Sequence, residues 1–134
     1  MDDQKKKILI IDDEAKFGDM VKKNLEKAGP YEVTVETKGT QGLETAKRVR
    51  PDLIFMDVLM PDKRGPELAY EIHQEEKLKN TPIVFLTATV QKGQTEAFGG
   101  IVGGMPFKIK PAVSKPASVK DLVKVIEENL PKDE

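Results

Sequence analysis

LIFMDVLMPDKRGPEL, residues 53–68, places Asp57 directly after four apolar residues and follows it with further apolar residues and a proline. A short, continuous apolar run is typical of a strand covered on both faces, as in parallel sheets flanked by helices. This stretch therefore predicts a buried strand that ends in a carboxylate. Such a strand end is where open α/β sheets bind ligands.

Other segments of the chain extend this pattern. The runs ILII at 8–11 and IVFL at 83–86 are also continuous, whereas YEVTVE from Tyr31 alternates and predicts a strand nearer the sheet edge. Apolar residues at helical spacing lie between and after these runs, over residues 17–28, 43–49, 68–72 and 119–130. The expected fold is a doubly wound α/β domain with a five-stranded parallel sheet and helices on both faces.

The stretch between the third continuous run and the last helix is less regular. Residues 91–98 predict a further short helix, and the glycine-rich segment GGIVGGMPF from Gly99 predicts a loop. The fifth strand is expected near MPFKI, from Met105. We predict one domain over residues 1–134, with its core at about 7–130.

Composition narrows the possible partners and compartment. The 134 residues include 22 Lys and Arg and 23 Asp and Glu, so the net charge of −1 suggests neither a nucleic-acid nor a membrane-surface partner. The absence of cysteine excludes disulfides and thiolate metal sites. The N-terminus has only four apolar residues, 8–11, before two aspartates, so it predicts no secretory signal or membrane span. A soluble, cytoplasmic protein is expected.

Acidic side chains follow neighbouring strands of the predicted sheet. Asp12 and Asp13 follow the first strand and Asp57 the third, while Thr87 follows the fourth. At an effective dielectric constant near 20, two carboxylates ~4 Å apart repel by about 4 kcal/mol, so a divalent cation is expected among them. Oxygen ligands without His or Cys favour a hard ion, and a site with few carboxylates favours Mg²⁺.

Four motifs together resemble a known family. ILIIDDE, LIFMDVLMPDKRGPEL, FLTAT and a Lys-Pro pair near the fifth strand are similar to the receiver domain of two-component response regulators, from about Lys7 to Leu130. The resemblance implies a flavodoxin-like receiver fold in which Asp57 accepts a phosphoryl group from a phosphohistidine. It also implies that Mg²⁺ is bound by Asp12, Asp13, Asp57 and the backbone carbonyl of Leu59.

By the same resemblance, Thr87 hydrogen-bonds the phosphoryl group. The resemblance also implies that an aromatic residue, three positions before the lysine that pairs with the phosphoryl group, turns inward on activation. Two Lys-Pro pairs compete for that lysine. Lys110 has close to the family's usual distance from Thr87 and has Phe107 three positions before it, whereas Lys115 has the more usual distance to the last helix. Lys110 is preferred, with Lys115 as the alternative, because loop insertions cost little and a misplaced cation at a phosphate costs much.

The resemblance implies a signalling domain rather than an enzyme with an external substrate. Its partners would be a histidine kinase or phosphotransfer protein and a downstream protein target, and the domain would be a monomer or weak dimer. The chain is expected to be a stand-alone receiver, or the receiver part of a longer regulator or hybrid kinase.

Two other functions are compatible with parts of the pattern. One is a pseudo-receiver that binds proteins without phosphorylation. The other is a phosphohydrolase of the haloacid dehalogenase type, which requires a second Asp where this chain has Leu59. The single histidine, His73, follows Ile72 on a polar helix face and is expected to be solvated.

Overall fold

A parallel sheet forms the centre of the molecule, with the continuous apolar runs as its inner strands. A computed structural model of the chain describes residues 5–58, 60–87, 101–102, 105–106, 109–114 and 118–130. The sheet strands are β1 (Lys6–Ile11), β2 (Tyr31–Glu36), β3 (Leu53–Asp57), β4 (Ile83–Thr87) and β7 (Ile109–Ser114). They are parallel, in the order β2-β1-β3-β4-β7. The predicted five-stranded parallel sheet is confirmed, and YEVTVE is an edge strand.

Four helices complete the described fold. They are α1 (Ala15–Ala28), α2 (Gly42–Val49), α3 (Gly65–His73) and α4 (Val119–Asn129), and a 3₁₀ turn over Gly39–Gln41 precedes α2. A two-stranded antiparallel ribbon is formed by β5 (Ile101–Val102) and β6 (Met105–Pro106). Within the ranges described, no helix has the length and hydropathy needed to cross a membrane.

The sheet buries a separate core on each face. Alternate residues of β1 point to opposite faces, so Leu9 packs with Leu68 and Ile72 of α3 in one core. Ile10 belongs to the other core, which includes residues of α1 and α4. The two cores confirm the doubly wound arrangement.

Local sequence signals define the helix ends. The N–H of Gly29 donates to the carbonyl of Leu25 at 3.2 Å where α1 ends, directly before Pro30. The hydroxyl of Ser118 accepts a hydrogen bond from the N–H of Asp121 at 3.1 Å and caps the N-terminus of α4.

The fifth sheet strand lies later in the chain than predicted. It covers Ile109–Ser114, whereas Met105 and Pro106 belong to the antiparallel ribbon. The strand was predicted too early in the chain, because a proline such as Pro111 more often marks a loop than a strand. A proline is tolerated in β7 because this strand lies at the edge of the described sheet, where one side of its backbone pairs with none of the described strands. The predicted helix over residues 91–98 lies outside the described residues.

His73 contacts the backbone rather than standing free in solvent. Its Nε2–H donates to the carbonyl of Thr81 at 2.9 Å, and the residue is half-buried. The expectation of a solvated histidine was wrong, because the chain returns from α3 to β4 beside the imidazole ring. The hydrogen bond joins the end of α3 to the start of β4.

Candidate functional site

Three carboxylates meet at the carboxyl edge of the sheet. Ile11 of β1 pairs with Met56 of β3, so the residues that follow these positions, Asp12 and Asp57, emerge side by side. One ligand atom from each of Asp12, Asp13 and Asp57 lies within 4.8 Å of the others. The acidic cluster predicted from the strand ends is therefore present.

Burial differs among the three carboxylates. Asp12 is fully buried and Asp57 is 8% exposed, whereas Asp13 is exposed to solvent. Oδ1 of Asp12 accepts a hydrogen bond from the N–H of Glu14 at 2.9 Å, and the N–H of Asp12 donates to the carbonyl of Glu36 at 3.0 Å. These contacts fix the backbone of the acidic pair, so that one carboxylate is directed inward and its neighbour faces solvent.

The residue after Asp57 is also fixed by backbone contacts. The N–H of Val58 donates to the carbonyl of Leu86 at 3.2 Å, and the carbonyl of Val58 accepts from the N–H of Gly65 at 2.9 Å. Asp57 itself pairs with Leu86 in the sheet. β3, β4 and the start of α3 are therefore joined at this point.

Gly65 is required here by close approach and not by its backbone angle. A Cβ atom at Gly65 would collide with the carbonyl oxygen of Asp57 and lie 3.0 Å from Cα of Val58. The residue's φ is not in the left-handed region. The absence of a side chain at Gly65 lets α3 begin directly against the Asp57 backbone.

The donor set suits a hard divalent cation. The cluster offers carboxylate oxygens alone, two of its members are largely buried, and three carboxylates this close repel one another strongly without a counter-charge. The residues present therefore fit the Mg²⁺ ion expected from the sequence. Leu59, whose carbonyl was predicted as a further ligand, lies outside the described residues.

Thr87 ends β4 at the same edge. It follows Leu86, the pairing partner of Asp57, so its backbone lies one position beyond Asp57 along the neighbouring strand. Its side chain is outside the described part of the structure, as are Phe107 and Lys115.

The strand register does not support the preference for Lys110. Lys110 pairs with Val84, whereas Thr87 pairs with Ser114. Four residues of extended chain span about 13 Å, so the backbone of Lys110 lies well back from the carboxyl edge. Lys115 follows Ser114 directly in the chain. The Thr87-to-lysine spacing that favoured Lys110 was measured without knowing where the fifth strand lies, so the choice between Lys110 and Lys115 stays a prediction.

Asp62 and Lys63, in the loop after Asp57, make contacts that were not predicted from the sequence. Backbone hydrogen bonding by Thr40, reinforced by its hydroxyl and by Gly39, lowers the pKa of Asp62 below its ordinary value. A hydrogen bond to Glu71 raises the pKa of Lys63. No local motif could reveal these contacts, because Asp62 and Thr40 are 22 residues apart.

Comparison with known proteins identifies the family of this site. The family model for the response regulator receiver domain matches residues 8–127. The chain is 33% identical over 121 residues to the alkaline phosphatase synthesis transcriptional regulatory protein PhoP of Bacillus subtilis, covering 90% of this chain and 48% of PhoP. The chain thus spans about half the length of that relative, and it spans 35% of the regulator RpaA of Synechocystis.

Relatives of similar length also match. The polar-differentiation response regulator DivK of Brucella anthropi is 30% identical over 125 residues, which cover 93% of this chain and 96% of DivK. The crystal structure of the chemotaxis protein CheY4 of Vibrio cholerae superposes with a TM-score of 0.78 at 29% identity, covering 94% of this chain and 99% of CheY4. The chain belongs to the response regulator receiver domains of two-component signalling systems.

Proposed function

We propose that this domain accepts a phosphoryl group on Asp57 from a phosphohistidine of a histidine kinase or phosphotransfer protein. The observation that carries the proposal is the place of Asp57, which is nearly buried, ends the central strand and lies within 4.8 Å of Asp12 and Asp13 through their ligand atoms. Burial fixes the direction of the carboxylate, and the neighbouring acidic pair supplies the remaining metal ligands.

The reaction exchanges one phosphorus bond for another. A carboxylate oxygen of Asp57 forms a bond to phosphorus while the bond between phosphorus and the donor imidazole nitrogen breaks, and the electron pair of that bond stays on the imidazole. Asp12, Asp13 and Asp57 would bind Mg²⁺, with the carbonyl of Leu59 as a further ligand. When bound, the ion offsets negative charge on the carboxylates and on the transferred group.

A cation from the fifth strand would pair with the phosphoryl group. Lys115 fits this role better than Lys110, because Lys115 follows Ser114, the pairing partner of Thr87. The position three residues before Lys115 is Ala112, so this choice removes the sequence basis for the Phe107 switch. Thr87 would hydrogen-bond a phosphoryl oxygen and draw its loop toward the site.

The output of the domain would be a change of protein partner. Binding of the phosphoryl group by Thr87 and the lysine favours one arrangement of the loops at the carboxyl edge, which biases a two-state surface. The function would be signalling without turnover of an external substrate, by a monomer or weak dimer that binds a downstream protein in the cytoplasm. DivK and CheY4, which this chain matches over nearly their whole length, are a response regulator and a chemotaxis protein.

Reaction with a small phosphodonor tests the proposal directly. The protein is incubated with acetyl phosphate and Mg²⁺, and its intact mass is recorded alongside that of Asp57→Asn. Addition of one phosphoryl group to the wild type and none to the variant is expected. A folded wild type that binds Mg²⁺ and gains no phosphoryl group would instead indicate a pseudo-receiver.

The same assay separates the two lysines. Lys115→Ala is expected to change the rate of phosphorylation or the lifetime of the modified protein, while Lys110→Ala leaves both close to wild type. The opposite pattern would restore Lys110, and with it the hypothesis of a switch at Phe107.

A further inference from the structure

A single carboxylate ties the loop after Asp57 to the segment before α2. Oδ1 of Asp62 accepts a hydrogen bond from the N–H of Gly39 at 3.2 Å. Oδ2 accepts from the N–H of Thr40 at 3.0 Å and from the Thr40 hydroxyl at 3.1 Å. The carboxylate is therefore bound by three donors that all belong to the 3₁₀ turn at Gly39–Gln41.

Close packing accompanies these hydrogen bonds. A Cβ atom at Gly39 would lie 2.7 Å from Cβ of Lys63 and 3.4 Å from Cε of Met60, so only a glycine lets the turn come this near the loop. On the other side, Nζ of Lys63 lies 2.6 Å from Oε2 of Glu71 in α3. The loop is thus fixed between the 3₁₀ turn and α3.

The base of this loop is part of the site. It leaves the sheet at Val58, next to Asp57, and returns where the N–H of Gly65 donates to the Val58 carbonyl at 2.9 Å. Between these points lies Leu59, whose carbonyl is the proposed metal ligand. The contacts of Asp62 with the 3₁₀ turn and of Lys63 with α3 fix the outer part of this loop relative to its base. Loss of these contacts would let the loop move next to Asp57.

We propose that Asp62 is a positioning residue of the phosphoacceptor site, which fixes the loop after Asp57 through Gly39 and Thr40. The proposal rests on the proposed function of Asp57. Asp62 does not belong to the cluster of Asp12, Asp13 and Asp57, so it acts through the loop backbone and not through contact with the reacting atoms.

The ionised form of Asp62 is the one that makes these contacts. The backbone N–H of Thr40 is the main reason why the pKa of this carboxyl lies below its ordinary value. The hydrogen bonds are consequently in place throughout the neutral range.

The test compares Asp62→Ala with a matched variant, Asp52→Ala. Oδ2 of Asp52 accepts a backbone hydrogen bond from Lys7 at 2.8 Å, and the residue is exposed, but it lies at the opposite edge of the sheet, just before β3 begins. Thr40→Val removes the hydroxyl donor and Thr40→Ser keeps it. For each protein we would measure the Mg²⁺ dissociation constant by calorimetry and the rate of phosphorylation by acetyl phosphate at saturating Mg²⁺.

A displacement of about 1 Å at a reacting centre can cost on the order of a hundredfold in rate. We therefore expect Asp62→Ala to slow phosphorylation at least about tenfold and to weaken Mg²⁺ binding. Thr40→Val should give a phosphorylation rate and a Mg²⁺ affinity between those of wild type and Asp62→Ala. Thr40→Ser and Asp52→Ala should keep both values close to wild type. Wild-type values in Asp62→Ala, or an equal loss in Asp52→Ala, would overturn the proposal.

Mg²⁺ affinity also separates this proposal from the one on which it rests. A wild type that gains no phosphoryl group would refute phosphorylation of Asp57. In that case a weaker Mg²⁺ affinity in Asp62→Ala than in Asp52→Ala still supports positioning of the loop by Asp62, and equal affinities refute it.

Discussion

The carboxylate of Glu26 in α1 accepts a hydrogen bond from the backbone N–H of Val33, at 3.1 Å, on the outer edge of the sheet. Lys22, one turn earlier in α1, donates to the carbonyl of the same residue at 2.7 Å and also contacts Glu26 at 3.2 Å. The carbonyl of Pro30, just before β2, accepts from the N–H of Lys6, and the carbonyl of Glu36 accepts from the N–H of Asp12, just after β1. The odd-numbered positions of β2 therefore face outward. The ion pair therefore occupies backbone groups that a further strand would otherwise bind.

Removing this pair is expected to destabilise the fold and expose the edge to pairing with other chains. We predict that Lys22→Ala combined with Glu26→Ala lowers the free energy of unfolding by about 1 kcal/mol, since the lost hydrogen bonds are partly exposed. Self-association should rise with protein concentration. Urea unfolding and sedimentation velocity measure the two effects.

The control is the exposed pair formed by Glu44 and Lys47 of α2, whose charged atoms are 3.8 Å apart. Replacing both with Ala should cost no more than about 0.5 kcal/mol and leave the protein monodisperse. Equal destabilisation by the two double variants, with no association in either, would refute a protective role for Lys22 and Glu26.

Protonation of Glu26 is expected to account for part of the stability that the protein loses in acid. The hydrogen bond from the Val33 backbone, followed by the contact with Lys22, lowers the pKa of Glu26 below its ordinary value of 4.5. A carboxyl with a depressed pKa stabilises the folded state above the unfolded pKa, and the contribution is lost as the pH falls through the folded pKa. At pH 7 the wild type should therefore have a higher free energy of unfolding than Glu26→Gln. The difference should shrink as the pH falls below 4.5 and through the lowered pKa of the folded state.

Urea unfolding at a series of pH values between 7 and 3 checks this expectation. A stability difference between wild type and Glu26→Gln that stays constant over the whole series would show that ionisation of Glu26 does not contribute.

Much of the fold follows from the sequence because burial on both faces leaves a simple pattern. The runs ending at Asp12, Asp57 and Thr87 have no polar interruption, and parallel strands bring their carboxyl ends to one edge. The acidic cluster could be predicted for that reason. The fifth strand could not, because Pro111 in an edge strand looks the same in sequence as a proline in a loop.

Long-range polar contacts were also beyond sequence analysis. Asp62 resembles any aspartate in a turn, and its partners in the 3₁₀ turn depend on how α2 approaches the loop. The hydrogen bond from His73 to Thr81 depends in the same way on the path of the connection to β4. Periodicity reports which side of an element is buried, but it does not report which loop lies beside which.

Gly65→Ala is expected to damage both stability and the site. Its Cβ would meet the backbone of Asp57 and Val58, which cannot move without disturbing the central strand. Overpacking of this kind costs about 1–3 kcal/mol, and we expect a loss near the upper end together with slower phosphorylation. Urea unfolding and the intact-mass assay measure the two effects.

Gly42→Ala is the comparison for this variant. Its Cβ would meet Cδ2 of Leu68 at 2.6 Å, the far end of a flexible side chain that can rotate away, and alanine favours the helix. Gly42→Ala should therefore lower the free energy of unfolding clearly less than Gly65→Ala does. If the two cost the same, rigidity of the Asp57 backbone is not what excludes a side chain at Gly65.

Arg50 offers a stabilising substitution because it ends α2 in the left-handed region. Its φ is 52° and its ψ is 63°, and its N–H donates to the carbonyl of Ala46 at 2.8 Å. This conformation costs a residue with a Cβ roughly 1 kcal/mol, whereas glycine adopts it readily. Glycine also gains entropy in the unfolded chain, so we expect Arg50→Gly to raise the free energy of unfolding by only about 0.5 kcal/mol.

Arg64→Gly tests whether the backbone angle is the cause. Arg64 is also exposed and precedes α3, but its φ of −76° and ψ of 137° are ordinary for any residue. Arg64→Gly should lower the free energy of unfolding by about 0.5–1 kcal/mol, because the substitution changes only the entropy of the unfolded chain. Opposite signs for the same substitution in urea unfolding would attribute the gain at Arg50 to its left-handed conformation, and a loss at both positions would contradict it.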